Sequence, residues 1–188
     1  MQPAWMSKCE SRAIRAVARL SDTQELILAA TLSPRQSARV AAVMLLDDDD
    51  ALLQVLRESH HCDVHEAAIR RIREASSLIP YALGGDYIPA RCAALERIED
   101  KHTLREVVLG DPCGWVKEAA MKQIADQQFL ADIALGMHDL DIPARVCAAR
   151  HVTQEAMARR IYAAIDSGSF GTYSSDFLDA LREGSGSG

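Results

Sequence analysis

The sequence predicts an all-α fold, a right-handed α-α superhelix (solenoid) of about six two-helix repeats of ~26 residues each. Three observations predict it. The first is a fixed period. With Leu20, Leu46, Ile72, Ile98, Ile124 and Val152 as anchors, successive spacings are 26, 26, 26, 26 and 28 residues. The second is helical spacing of the apolar positions within each row, with no β-branched runs of period two. The third is composition: hydrophobic residues make up 48% but aromatics only 5%, so the interior must be built from Ala, Leu, Val and Ile.

Each row divides into two short helices. Helix A leads to the anchor through a small pair, Ala41-Ala42, Ala67-Ala68, Ala93-Ala94, Ala119-Ala120 and Cys147-Ala148. Short side chains let neighbouring helices approach closely, and Ala is the best helix former. Ser11, Ser37 and Asp63 are expected to cap these helices, and Pro89 and Pro143 to sit in their first turns. An acid follows two residues after the anchor (Asp22, Asp48, Glu74, Asp100, Asp126) and is expected to cap helix B. Leu26, Leu52, Leu78, Leu104 and Leu130, with Ala29, Val55, Tyr81, Val107, Ile133 and Ile161 three residues further on, form the apolar stripe of helix B. One such pair cannot bury its face alone, so the rows must stack.

The end rows depart from the pattern, as terminal repeats should. Arg12, Arg15 and Arg19 make the first helix A polar, while Gln154 and Ala158 replace the acid and the Leu in the last row. In the third row, Pro80 and Gly84-Gly85 predict a short or kinked helix B followed by a glycine turn. In the fifth, two extra residues near Gly136 to Asp139 predict a longer loop. The expected organisation is a repeat domain over 1–163, a loop and capping helix over 164–183, and a Gly-Ser linker remnant over 184–188.

The segment Ala90-Arg91-Cys92-Ala93-Ala94, continuing through Ile98, Asp100 and Leu104, resembles HEAT-like repeats of the short bacterial type, including leucine-rich-repeat-variant proteins. The likeness covers about Ser11 to Ala163, with a period shorter than that of ordinary HEAT repeats. It implies an inter-repeat ladder between a cation column (Arg39, His65, Arg91, Lys117, Arg145) and an acid column (Asp22, Asp48, Asp100, Asp126). Asp22 with Arg39, Asp48 with His65 and Asp100 with Lys117 would be its rungs. It also implies a protein-binding scaffold. HEAT-like DNA glycosylases and phycobilin lyases mark the two other functions that such a stack can serve.

Composition narrows the classes. A net charge of −6 disfavours a chain dedicated to nucleic acid. A second basic set, Arg19, Arg70, Arg71, Arg97, Lys122 and Arg150, could form a stripe suited to phosphates, but Glu66, Glu96, Glu99 and Glu118 interrupt it. No run reaches the ~18 apolar residues of a membrane span, and MQPAWMSKCESR lacks the apolar core of a secretory signal. Five scattered cysteines without a CxxC pair read as reduced thiols of a cytoplasmic protein. His60, His61, Cys62 and His65 offer donors, with His61 and His65 one helical turn apart, but no second ligand pair lies nearby, so no metal is assigned. Asp47 to Asp50 lack EF-hand spacing. No nucleophile elbow or nucleotide loop is present. The expected function is therefore non-enzymatic and cofactor-free: binding a protein or peptide along one face, with Trp115, Tyr81, Tyr87, Arg71 and Arg97 as the candidate contact residues.

Overall fold

The computed structural model describes residues 2–166, with side chains through residue 164. The predicted C-terminal capping helix and the Gly-Ser tail therefore lie outside the described residues. Among these, every regular element is helical and none is a strand. Twelve α-helices follow in order: α1 (Glu10–Val17), α2 (Thr23–Leu32), α3 (Gln36–Leu45), α4 (Asp49–Glu58), α5 (Cys62–Arg71), α6 (Ile79–Gly84), α7 (Ile88–Leu95), α8 (Lys101–Gly110), α9 (Gly114–Gln123), α10 (Gln127–Ala134), α11 (Ile142–Arg150) and α12 (Glu155–Asp166). Odd numbers are the predicted A helices and even numbers the B helices. Helices α3, α5, α7, α9 and α11 each begin one or two residues before the predicted start. The true N-cap residues of α3 and α5 are Arg35 and His61, neither of which caps through its side chain.

The described chain forms two compact units that divide between residues 97 and 98. In the first, α1 packs on α3, α3 on α5 and α5 on α7, while α2 packs on α4. In the second, α9 packs on α11 and α10 on α12. In both units each B helix lies closely against the A helix that follows it: α2 on α3, α4 on α5 and α6 on α7, then α8 on α9 and α10 on α11. The tight hairpin is thus B with the following A, whereas the sequence row groups A with the B that follows.

The repeat columns explain this packing. The second residue of the small pair is fully buried in every row where it occurs (Ala42, Ala68, Ala94, Ala120, Ala148), while the first is half-buried at Ala41, Ala67, Ala93 and Cys147. The column of Leu26, Leu52, Leu78, Leu104 and Leu130 is buried throughout. Each such side chain contributes about 1.5–3 kcal/mol of transfer free energy. The acid column caps the B helices: Asp22 accepts from the Glu25 N–H at 2.8 Å, Asp48 from Ala51 at 3.1 Å, Asp100 from Thr103 at 2.7 Å and Asp126 from Phe129 at 3.1 Å. These bonds satisfy otherwise orphaned donors of the first turn. Glu74, in the third row, makes no side-chain cap, and there helix B breaks into a 3₁₀ turn (Ala75–Leu78) followed by the six-residue α6, with Pro80 in its first turn. At the N-terminus another 3₁₀ turn, Ala4–Met6, packs on α1 and α2 and buries Trp5.

Candidate functional site

The side chains with the most chemistry gather at the corners where a B helix turns into the next A helix. These corners are closed by two columns. Thirteen residues before the anchor stand Ser7, Ser33, Ser59 and Asp111. Each accepts from the backbone N–H two residues on: Cys9 at 3.2 Å, Arg35 at 3.5 Å, His61 at 3.1 Å and Cys113 at 2.8 Å. This is the Asx or Ser/Thr turn that fixes a chain entering a helix. The cation column then reaches back to carbonyls at the end of the corner's B helix. Arg39 donates to the Ser33 carbonyl at 3.0 Å, Arg91 to Ala82 at 2.8 Å and Arg145 to Ala134 at 3.3 Å. Cations are favourable at a helix C-terminus.

Two of the expected rungs, Asp22 with Arg39 and Asp48 with His65, pair differently. Arg39 forms a two-point pair not with Asp22 but with Asp63, at 2.9 and 3.1 Å, both side chains being about one-tenth exposed. His65 bonds to Ser59 and Tyr81 rather than to Asp48. The acids of the column serve their own helices as caps. Other groups link the rows. Asp49 accepts from the N–H groups of Arg73 and Glu74 at 2.9 and 3.0 Å. Gln127, at the same place in its row, accepts from Thr153 and Gln154 at 2.6 and 3.3 Å. Arg71 donates to the Leu46 carbonyl at 2.7 Å and to Asp47, and Arg97 donates to the Ile69 carbonyl. The two arginines singled out as contact residues thus have their guanidinium groups engaged between hairpins.

His65 takes the cation position in the third row and rebuilds the corner around itself. Its Nε2 lies 2.7 Å from the Ser59 carbonyl, which can only accept, so Nε2 carries the proton and Nδ1 accepts from the Tyr81 hydroxyl at 2.9 Å. The Tyr81 and Tyr87 rings meet the imidazole edge-on, with centroids 5.8 and 5.6 Å away. Burial pushes the Tyr81 hydroxyl up to about 12. Gly85 makes this possible: a Cβ there would lie 2.7 Å from the Tyr81 carbonyl oxygen and 2.9 Å from its ring. Beside Tyr81 opens a cavity of about 340 Å³, lined by Leu53, Leu56 and Pro80 with Arg57 and Asp86. Tyr87 lines a second cavity, of about 300 Å³, with Cys62, Asp63 and Glu66. His60 is exposed, and both ring nitrogens of His65 are occupied, so the sequence's candidate histidine-cysteine set brings no cluster of donors together.

A different set does come together. The ligand atoms of Glu118 (α9), Cys147 (α11) and His151 (the residue closing α11) all lie within 4.8 Å of one another, each residue half-buried. Burial, and then Glu118, push the Cys147 thiol up to about 11, and burial pulls the His151 imidazole below its usual range. The readable signal was Cys147 and His151 one helical turn apart on a predicted helix. Glu118 was not readable, because the row-to-row register of α9 against α11 brings it in.

The remaining exposed feature is apolar. In the second unit Leu109 and Trp115 flank the α8–α9 corner, and Met137 and Ile142 flank the α10–α11 corner; Trp115 is 76% exposed. In the first unit Leu32, Leu83 and Ile88 stand exposed at corresponding corners. No helix among the described residues is long and apolar enough to cross a membrane. Searches of protein-family models, of curated proteins and of solved structures find no match to this chain.

Proposed function

We propose that the chain is a HEAT-like α-solenoid that acts as a non-enzymatic scaffold, binding a protein or peptide through the exposed apolar side chains of its B-to-A corners. The observation that carries this reading is the recurrence of large apolar residues, Leu109, Trp115, Met137 and Ile142, at successive corners of one unit. Exposed apolar residues grouped in this way, with an aromatic among them, are what a protein interface uses as anchors. The successive packing of α1, α3, α5 and α7 supports the stacked arrangement. The candidate contacts divide accordingly: Trp115 stays an anchor, while Tyr81 and Tyr87 act by shaping the two cavities that they line.

The nucleic-acid alternative draws less support. Of the six cations in the proposed stripe, Arg71 and Arg97 bond carbonyls within the fold, Arg70 pairs with Glu66, and Lys122 pairs with Glu118. Few remain to track phosphates. The test is recovery of partners from nuclease-treated cognate lysate, followed by titration of the recovered partner. Trp115→Ala is expected to weaken binding by about 2 kcal/mol or more, roughly thirtyfold in Kd. Unchanged binding in that variant, or recovery that vanishes with nuclease alone, overturns the reading.

A further inference from the structure

We propose that Glu118, Cys147 and His151 form a binding site for a zinc-type divalent metal ion. Their ligand atoms lie within 4.8 Å of one another. They supply a carboxylate, a thiol and an imidazole, the donor types that zinc takes in three-ligand sites with a fourth position left for water. Metal–ligand distances of about 2.0–2.3 Å place tetrahedral ligands roughly 3.3–3.8 Å apart. Closing on an ion therefore draws these atoms together by about 1 Å, within the reach of modest χ rotations.

The scaffold around the three is well suited to hold an ion. Cys147 stands on α11, His151 is the residue that closes that helix four positions on, and Glu118 comes from α9, which packs against it. Glu118 and Cys147 thus sit on helices, and His151 on the cap directly attached to one of them. Lys122 reaches the Glu118 carboxylate at 3.1 Å, one turn along the same helix. With one oxygen held by Lys122, the other can face the ion, the outer-sphere arrangement that orients a ligating carboxylate. A thiolate and a carboxylate together neutralise a doubly charged ion, which suits a half-buried location.

The repeat supplies an independent argument. Cys147 occupies the first position of the small pair, where the other rows carry Ala41, Ala67, Ala93 and Ala119. His151 occupies the position before the anchor, where the third and fourth rows carry Arg71 and Arg97. In the first unit, the equivalent step places Val40, Ala67 and Arg71, a set with no metal donor. The row holding Cys147 and His151 therefore departs from the repeat at the small pair, adds an imidazole where the second and fifth rows carry Leu45 and Gln123, and brings both donors to Glu118.

Cobalt is the probe, because its absorption reports both tetrahedral geometry and thiolate ligation. Titrating Co²⁺ into the full, reduced chain is expected to saturate at one ion per chain with a thiolate-to-cobalt charge-transfer band, which Zn²⁺ then bleaches. Cys147→Ala is expected to abolish that band while helical content by circular dichroism stays unchanged, since alanine is what the other rows carry there. Cys62→Ser combined with Cys113→Ser is expected to leave the band intact. His151→Ala is expected to weaken binding by more than the roughly 10–100-fold that loss of an outer-sphere partner costs. Absence of the band at one equivalent in the unaltered chain, its persistence in Cys147→Ala, or unchanged affinity in His151→Ala overturns the assignment.

Discussion

The corner between α2 and α3 and the corner between α10 and α11 perform the same task with different amounts of chain. In the first, three residues, 33–35, join the helices, and Arg39 reaches six residues back to the Ser33 carbonyl while pairing with Asp63. In the second, seven residues, 135–141, join them, and Arg145 reaches eleven residues back to Ala134. The extra chain turns at Gly136, whose φ is +76°, and the Arg145 guanidinium lies directly over it. The cation column therefore preserves a destination, the end of the preceding helix, and not a sequence separation. Loop length is free to vary because a flexible guanidinium with several donors can absorb the difference.

Removing the cation of the short corner is expected to have the largest effect. Arg39→Ala leaves the nearly buried Asp63 carboxylate without its partner and the Ser33 carbonyl without its side-chain donor. A loss of about 3–5 kcal/mol is expected, read as a lower urea midpoint with an unchanged slope. A loss below about 1 kcal/mol would mean that the pair behaves like an exposed one, and the comparison would collapse.

The long corner offers the sharper test. Gly136→Ala places a side chain in the left-handed region and sets its Cβ 2.6 Å from the Arg145 guanidinium. A destabilisation of about 1–3 kcal/mol is expected. Part of it should disappear in the Arg145→Ala background, where only the backbone strain remains, so a double-mutant cycle should show non-additivity. Strict additivity would mean that the guanidinium yields without cost.

The smallest effect belongs to the opposite turns, where A passes into B. Asp100→Ala is expected to lower the urea midpoint least of the three. Hydrogen bonds from Thr103 hold the Asp100 carboxyl below its ordinary 3.8, and the Phe129 N–H does the same for Asp126. A carboxyl whose folded value is depressed stabilises the fold fully above its unfolded value and loses that contribution as pH falls through the lower, folded one. Stability should therefore drop as the pH is taken below 3.8, and Asp100→Asn should flatten that drop while keeping most of the cap. An acid profile identical in the two chains would show that the cap does not depend on charge.

Much of the all-helical fold could be read from columns, because burial and capping act within a helix or across one turn. Asp22, Asp48, Asp100 and Asp126 cap where their position says they should, and Pro80 with the two glycines shortens helix B as expected. What escaped the sequence depends on register between hairpins. Arg71 and Arg97 look like surface cations until the neighbouring hairpin supplies the Leu46 and Ile69 carbonyls. The Ser33, Ser59 and Asp111 column was present at a fixed offset, but its role rests on a backbone N–H two residues away and not on apolar periodicity. Trp5 lies outside the repeat altogether, yet it is buried in a turn that packs on α1 and α2.

The serine that opens the α2–α3 corner and the arginine that closes it belong to one contiguous stretch of chain. The bend consequently carries its own fastening wherever that stretch is copied. A chain assembled from such bends keeps these local fastenings when whole modules are added or removed, and only the bonds between rows, such as Arg39 to Asp63, have to be matched anew.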